Sequence, residues 1–249
     1  PEKEKSSAKE VLTSDDKKRL KEEYKNKKVG FIGENIAPAV YQIWQLGLEV
    51  EMISNEKLVK EEVGKSDYDI LVYTSGEHYT QTVEETGDVD KAIKEYLNTG
   101  GTLIAAPTGP FPFYYNEKGD SVITANELGF SIYQGDIKVK ENLTFEYTAE
   151  ITEFVEVEEE NIPFPATGDR RWRPSRNKSI SGAEYLPLMK LFSGEKDDQE
   201  NNGDGVAYIE HKNNDLAPGK TVYIWFRLLD GQQGTRLLYN VFHFLAEKE

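Results

Sequence analysis

Residues 96–106 read YLNTGGTLIAA, and this stretch decides the fold. Tyr96 and Leu97 close a helical run that also carries Ile93 and that Asp88 or Asp90 can cap. Gly100 and Gly101 stop the helix. TLIAA (102–106) is a short apolar run without polar alternation, as expected of a strand buried on both faces. A helix, a glycine stop and a doubly buried strand, in that order, form one unit of a parallel sheet with helical crossovers.

The same order repeats upstream. KVGFIG (28–33), LEVEMIS (48–54) and YDILVYT (68–74) read as three more strands. Pro38 suits the first turn of a helix and Gly47 its C′ position, with Val40, Ile43, Trp44 and Leu48 near helical spacing between them. NEKLVKEEV (55–63) is a shorter helix. Before the first strand, Ser14 is expected to cap a helix that starts with Asp15 and Asp16, where the helix dipole favours acids, and runs to about Lys27. Residues 1–13 are polar and aperiodic and read as a linker or frayed terminus.

Downstream the period changes. TANELGF (124–130) predicts one short helix. From Ser131 to about Pro165, acids and apolar residues alternate, as in LTFEYTAEITEFVEVE, which suits an antiparallel strand with one wet face. ATGDRRWRPSRNKSISGAE (166–184) is basic and irregular. YLPLMKLF (185–192), GVAYIEHK (205–212) and KTVYIWFRL (220–228) read as strands, and TRLLYNVFHFLAEKE (235–249) as an amphipathic helix with Leu238, Val241, Phe242 and Leu245 on one face. The expected fold is one α/β domain over 14–249. It is a flavodoxin-like, doubly wound, mainly parallel sheet with helices on both faces and an added antiparallel β section at 136–212. A reversal of strand order near the first strand would part the loops after the first and fourth strands and leave a crevice.

Composition bounds the rest. The 249 residues suffice for one full core, and the 14 Tyr, 11 Phe and 3 Trp are spread widely enough to order the chain. A net charge of −15 disfavours nucleic acid and anionic membranes and otherwise serves solubility. No apolar run reaches the roughly 20 residues of a membrane span. The chain starts at Pro1 and is read as processed or trimmed, so the lack of a signal peptide excludes nothing. With no cysteine, disulfides and thiolate chemistry are excluded.

The order of strands and helices, the phrase YLNTGGTLIAAPTGP (96–110) and the later segments PATGDRRWRP, YLPLMKLF, GVAYIEH and KTVYIWFRLLD together resemble the class I glutamine amidotransferase-like superfamily. The likeness includes its trehalose-utilisation-like (ThuA-like) branch and the related domains attached to bacterial secreted or carbohydrate-active proteins. Active members carry a G-x-C-x-G turn that exposes a cysteine beside an oxyanion hole, and a late H-x-E pair. The matching stretch here is Ala105-Ala106-Pro107-Thr108-Gly109, with Pro107 in the place of the cysteine. His211 and His243 have no glutamate two residues on. The resemblance therefore implies a domain without amidotransferase activity, one that binds a carbohydrate or partner protein as part of a larger, extracytoplasmic or secreted protein, with a cytoplasmic location as the alternative.

Ligands of doubly wound sheets bind outside the carboxyl ends of the strands. That rule names Glu34, Glu77, His78, Thr108 and Phe111, with Trp172 joining them, as the ligand-binding set. Glu34, Glu77 and His78 could instead be acid–base groups of a cysteine-independent hydrolase, or a solvated rim, and the whole domain could serve as a structural oligomerisation module. Phe111, Phe113, Tyr114 and Tyr115, set among prolines in 110–115, offer aromatic faces for sugar rings or partner proteins, or else cover the sheet end. Arg170, Arg171 and Arg173 either grip an anion or neutralise the acids around 150–160. Asp197–Asp204 has the composition of a calcium loop, but Ile209 falls where the closing glutamate belongs, so an exposed hairpin turn is expected. No cofactor is expected, and no metal either, because His78 stands alone and no His-x-x-x-His spacing occurs.

The purified protein is expected to release no ammonia from glutamine above a no-enzyme control. Release that is lost in Thr108→Ala would overturn that expectation.

Overall fold

The computed structural model describes residues 11–32, 38–74, 82–106, 113–115, 118–123, 125–132, 143–151, 153, 174–194, 197–229 and 231–249. Helix α1 (Ser14–Glu23) leads into β1 (Val29–Ile32), α2 (Pro38–Gln45), β2 (Val50–Ile53), α3 (Asn55–Lys60), β3 (Ile70–Tyr73), α4 (Asp88–Asn98) and β4 (Thr102–Ala105). A small hairpin, β5 (Phe113–Tyr115) and β6 (Ser121–Ile123), precedes α5 (Ala125–Leu128), β7 (Phe130–Ile132), β8 (Leu143–Tyr147) and β9 (Ser175–Asn177). Two long strands, β10 (Ala183–Ser193) and β11 (Glu200–His211), are followed by β12 (Lys220–Ile224) and α6 (Gly231–Glu247).

Ten of the described strands form one mixed sheet with the path β2-β1-β3-β4-β12-β11-β10-β8, and β9 joins β11 and β7 off that path. The first five strands of the path run parallel. From β12 onward the pairing is antiparallel. Strands β1, β3 and β4 are buried at every position, as the unbroken apolar runs predict. Among the described helices, α1 and α2 pack on α6, and α3 packs on α4.

Several expectations are corrected. Strand β3 lies between β1 and β4, so the first and fourth strands are not neighbours. KTVYI is a fifth parallel strand, inserted between β4 and β11. The cap of α1 is Thr13, in a reciprocal capping box with Asp16, and the helix ends at Glu23. Leu12 is buried, so the polar N-terminal segment does not extend to residue 13; residues 1–10 lie outside the described residues. Helix α4 is preceded by left-handed Gly87, with no side-chain cap. Asp88 instead accepts the backbone N–H groups of Val83, Glu84 and Glu85. Ile43 and Leu48 are buried, but Trp44 is 58% exposed, because α2 turns it away from the sheet. Most of the Asp197–Asp204 segment is strand and not turn, with Glu200–Asp204 inside β11.

The Gly100-Gly101 turn carries a tight packing constraint. Tyr96 is fully buried, and its hydroxyl accepts the Thr102 N–H at 3.1 Å and faces the carbonyls of Tyr68, Asp69 and Thr102 at 3.0–3.2 Å. One ring thus ties the end of α4 to the starts of β3 and β4. It lies over Gly101, where a Cβ would fall 2.2 Å from Tyr96 Cζ. Gly47 differs: its φ is +81° and a Cβ there meets nothing within 4 Å. Gly101→Ala is expected to cost about 3 kcal/mol in urea denaturation through overpacking, and Gly47→Ala about 1 kcal/mol through backbone strain alone. The opposite ranking would show that the Tyr96 ring gives way.

Candidate functional site

The sequence points to the carboxyl edge of the parallel strands. There Ile32 of β1 pairs with Tyr73 of β3, and Tyr73 with Ala105 of β4, so three adjacent strands end level with one another. The ordered frame continues one residue further, where the Ala106 N–H donates to the Tyr73 carbonyl at 2.9 Å. Thr74 and Ala106 are both buried. Glu34, Glu77, His78, Thr108, Phe111 and Trp172 lie outside the described residues, as do Pro107, Arg170, Arg171 and Arg173. Of the aromatic run, Phe113, Tyr114 and Tyr115 form strand β5.

A second group of polar side chains gathers where α1 meets α6. Helix α6 is buried along most of its length, including Leu237, Leu238, Tyr239, Val241, Phe242, Phe244 and Leu245. His243 sits in this surface with only 2% exposure. Its Nδ1 lies 2.9 Å from Glu23 Oε1. A carboxylate only accepts, so Nδ1 carries the proton and donates. Its Nε2 lies 3.5 Å from Glu247 Oε1 and 3.8 Å from Glu153 Oε2, and has no hydrogen-bond partner among the described residues. Arg19 pairs with Glu153 at 2.7 Å and with Glu23 at 3.4 Å. The hydrogen bond from Arg19 holds the Glu153 carboxyl below its usual range. Tyr239 stacks on the imidazole with centroids 6.0 Å apart. These residues mark the end of the sheet opposite the predicted rim, since Lys27, just before β1, pairs with Glu249, just after α6.

Two further buried groups occur in the antiparallel part. Tyr185 donates to Asp204 Oδ2 at 2.6 Å and accepts from Ser175 Oγ at 2.7 Å. Burial pushes both Tyr185 and Asp204 up from their ordinary values. The chain of three links β9, β10 and β11, and Ser175 and Asp204 also pair across β9 and β11, which suits strand locking. His211 is 1% exposed at the end of β11. The Asn214 amide donates to its Nδ1 at 3.1 Å, leaving the ring proton on Nε2, which has no partner among the described residues.

The His243 group escaped the sequence reading. Its legible trace is His243-x-x-x-Glu247, which puts both side chains on one face of a helix. Glu23 and Glu153 come from elsewhere in the chain and leave no local signal.

No family model matches the chain, and no curated protein matches it. Among solved structures, it is similar to Gan42B, a GH42 beta-galactosidase from G. stearothermophilus, with 13% identity and a TM-score of 0.40. That match covers 89% of this chain, which spans 30% of the galactosidase. A GMP synthase-type protein from Thermoplasma acidophilum matches with 14% identity and a TM-score of 0.39, over 90% of this chain and 96% of that one. A cytoplasmic protein of Salmonella typhimurium LT2 matches with 14% identity and a TM-score of 0.37, over 87% and 98%. No helix among the described residues is long and apolar enough to cross a membrane.

His211 makes stability depend on pH. Burial pushes it down from 6.5 to about 4. Between those values the unfolded chain binds more protons than the folded one, so stability rises with pH. The contribution is fully present above pH 6.5 and is lost as pH falls towards 4. His211→Gln is expected to flatten this part of the profile, read as the urea midpoint across the same window. Parallel profiles for the two proteins would show that His211 does not titrate there.

Proposed function

We propose that the chain is a flavodoxin-like, doubly wound domain of the class I amidotransferase-like kind, without amidotransferase chemistry, that binds a carbohydrate or partner protein at the carboxyl edge of its parallel strands. It would serve within a larger, extracytoplasmic protein. In support, the parallel path β2-β1-β3-β4-β12 has the strand order of flavodoxin-like sheets. Right-handed crossovers send α2 to one face and α3 and α4 to the other, in keeping with α2 packing on α6 and α3 on α4. The sequence holds no cysteine, so the family's nucleophile is missing.

The observation that carries the reading is the level ending of β1 and β3. The chain leaves β1 towards β2 and leaves β3 towards β4, so the direction of winding reverses between these neighbours. Ligands of open α/β sheets bind at that reversal. Glu34 follows β1, and Glu77 and His78 follow β3. Carboxylates, an imidazole and the aromatic Phe111 suit a neutral, polyhydroxylated ligand better than an anion, and a net charge of −15 points the same way.

Calorimetry against a panel of neutral oligosaccharides tests this. At least one is expected to bind, with Glu77→Ala and Phe111→Ala each weakening it tenfold or more, about 1.4 kcal/mol. Binding that survives both substitutions would place the site elsewhere, and a silent panel would sink the carbohydrate reading.

A further inference from the structure

His243 presents an unusual combination. It is 2% exposed, one ring nitrogen is held by a carboxylate, and the other has no hydrogen-bond partner among the described residues. Buried polar atoms are almost always partnered. An Nε2 that carries no proton offers a lone pair, and the atoms nearest to it in the cluster are carboxylate oxygens, which offer lone pairs too. A metal ion accepts electron pairs from Nε2 and both carboxylates at once, and Glu153 Oε2 can keep the hydrogen bond that it already accepts from Arg19.

The spacing agrees. The Nε2 to oxygen distances of 3.5 and 3.8 Å are long for hydrogen bonds. A tetrahedral ion with bonds of about 2.0–2.1 Å sets its ligand atoms roughly 3.3 Å apart, close to what is found here. One ligand atom each from Glu153, His243 and Glu247 lies within 4.8 Å of the other two. Charge agrees as well. Glu23, Glu153 and Glu247 bring three negative charges and Arg19 one positive, and a divalent cation balances the remaining two. Glu153 and Glu247 are 60% and 45% exposed, which leaves a path for an ion to enter.

We propose that Glu153, His243 and Glu247 bind a divalent cation of the zinc class, with Glu23 as the positioning residue behind the imidazole. The carboxylate–histidine–metal arrangement fixes the ring tautomer and raises its basicity. A ligand set with imidazole nitrogen favours zinc-like ions over calcium or magnesium, which take oxygen. The site departs from the expectation of no metal and is independent of the proposed rim, lying at the other end of the sheet. It would clip the segment after β8 to α6, with α1 supporting from behind.

The full chain, stripped with a chelator, is titrated with Zn²⁺ by calorimetry, while nitrogen NMR follows its three histidine side chains. One Zn²⁺ per chain is expected, with a shift in the Nε2 resonance of a single histidine that disappears in His243→Gln. Glu247→Gln, at an exposed position, is expected to weaken binding at least tenfold and carries the test should His243→Gln fail to fold. Glu23→Gln, whose amide oxygen can still accept from Nδ1, is expected to weaken it roughly 10–100-fold while the Nδ1–H signal persists. An equal excess of Mg²⁺ is expected not to compete. Absence of stoichiometric Zn²⁺ binding, binding unchanged in both Glu153→Gln and Glu247→Gln, or a shift confined to another histidine would each overturn the proposal.

Discussion

Strand β12 is the seam on which the molecule depends. Among the described strands it alone takes a parallel partner on one side, β4, and an antiparallel partner on the other, β11. Tyr223 is opposite Ala105 in the first ladder and Ala207 in the second. The two ladders differ in the slant of their hydrogen bonds, so the strand between them has to be regular. It is also buried on both faces: Thr221, Val222, Tyr223 and Ile224 all exclude solvent. Without this strand, the parallel and antiparallel parts would be two sheets, each with an open edge.

The sequence exposed the parallel half because burial on both faces leaves a local mark. VGFI, ILVY and TLIA carry no charge and are apolar but for Thr102 and the Tyr73 hydroxyl, and all three are doubly buried strands. VEMI is less buried because β2 ends the sheet, and its Glu51 and Met52 are both exposed. KTVYI reads as a buried strand too, but nothing in it says which partner lies alongside, since that depends on Thr102–Ala105 far back in the chain. Helix ends were less legible. Thr13 and Ser14 are both plausible caps, and the choice falls to Thr13 because Asp16 reaches back to it. Trp44 has helical spacing with Ile43 and Leu48 yet faces outward, a choice made by packing on α6. Of the site, the spacing of His243 and Glu247 was visible, but the burial of His243 and the approach of Glu23 and Glu153 are products of the tertiary fold.

The acidic excess looks different once the acids have addresses. Asp16 closes a capping box, and Glu23 orients a buried imidazole. Burial works against the charged form of Asp88, yet the amides of Glu84, Glu85 and Val83 outweigh it and hold the carboxyl below its usual range. Asp90 and Glu127 share Lys94, joining α4 to α5. Part of a charge that reads as solubility from composition is therefore structural.

The position of β12 also bears on how the chain comes together during synthesis. Its five residues belong near the middle of the sheet, but they are made after β4, β10 and β11. Until the ribosome has released them, β4 and β11 each present an unpaired row of amides and carbonyls where the finished molecule has a continuous ladder. Helix α6, which covers α1 and α2, arrives later still. The nascent protein thus carries an incomplete parallel sheet from β4 onward, and the antiparallel strands made after it join it only once β12 has emerged.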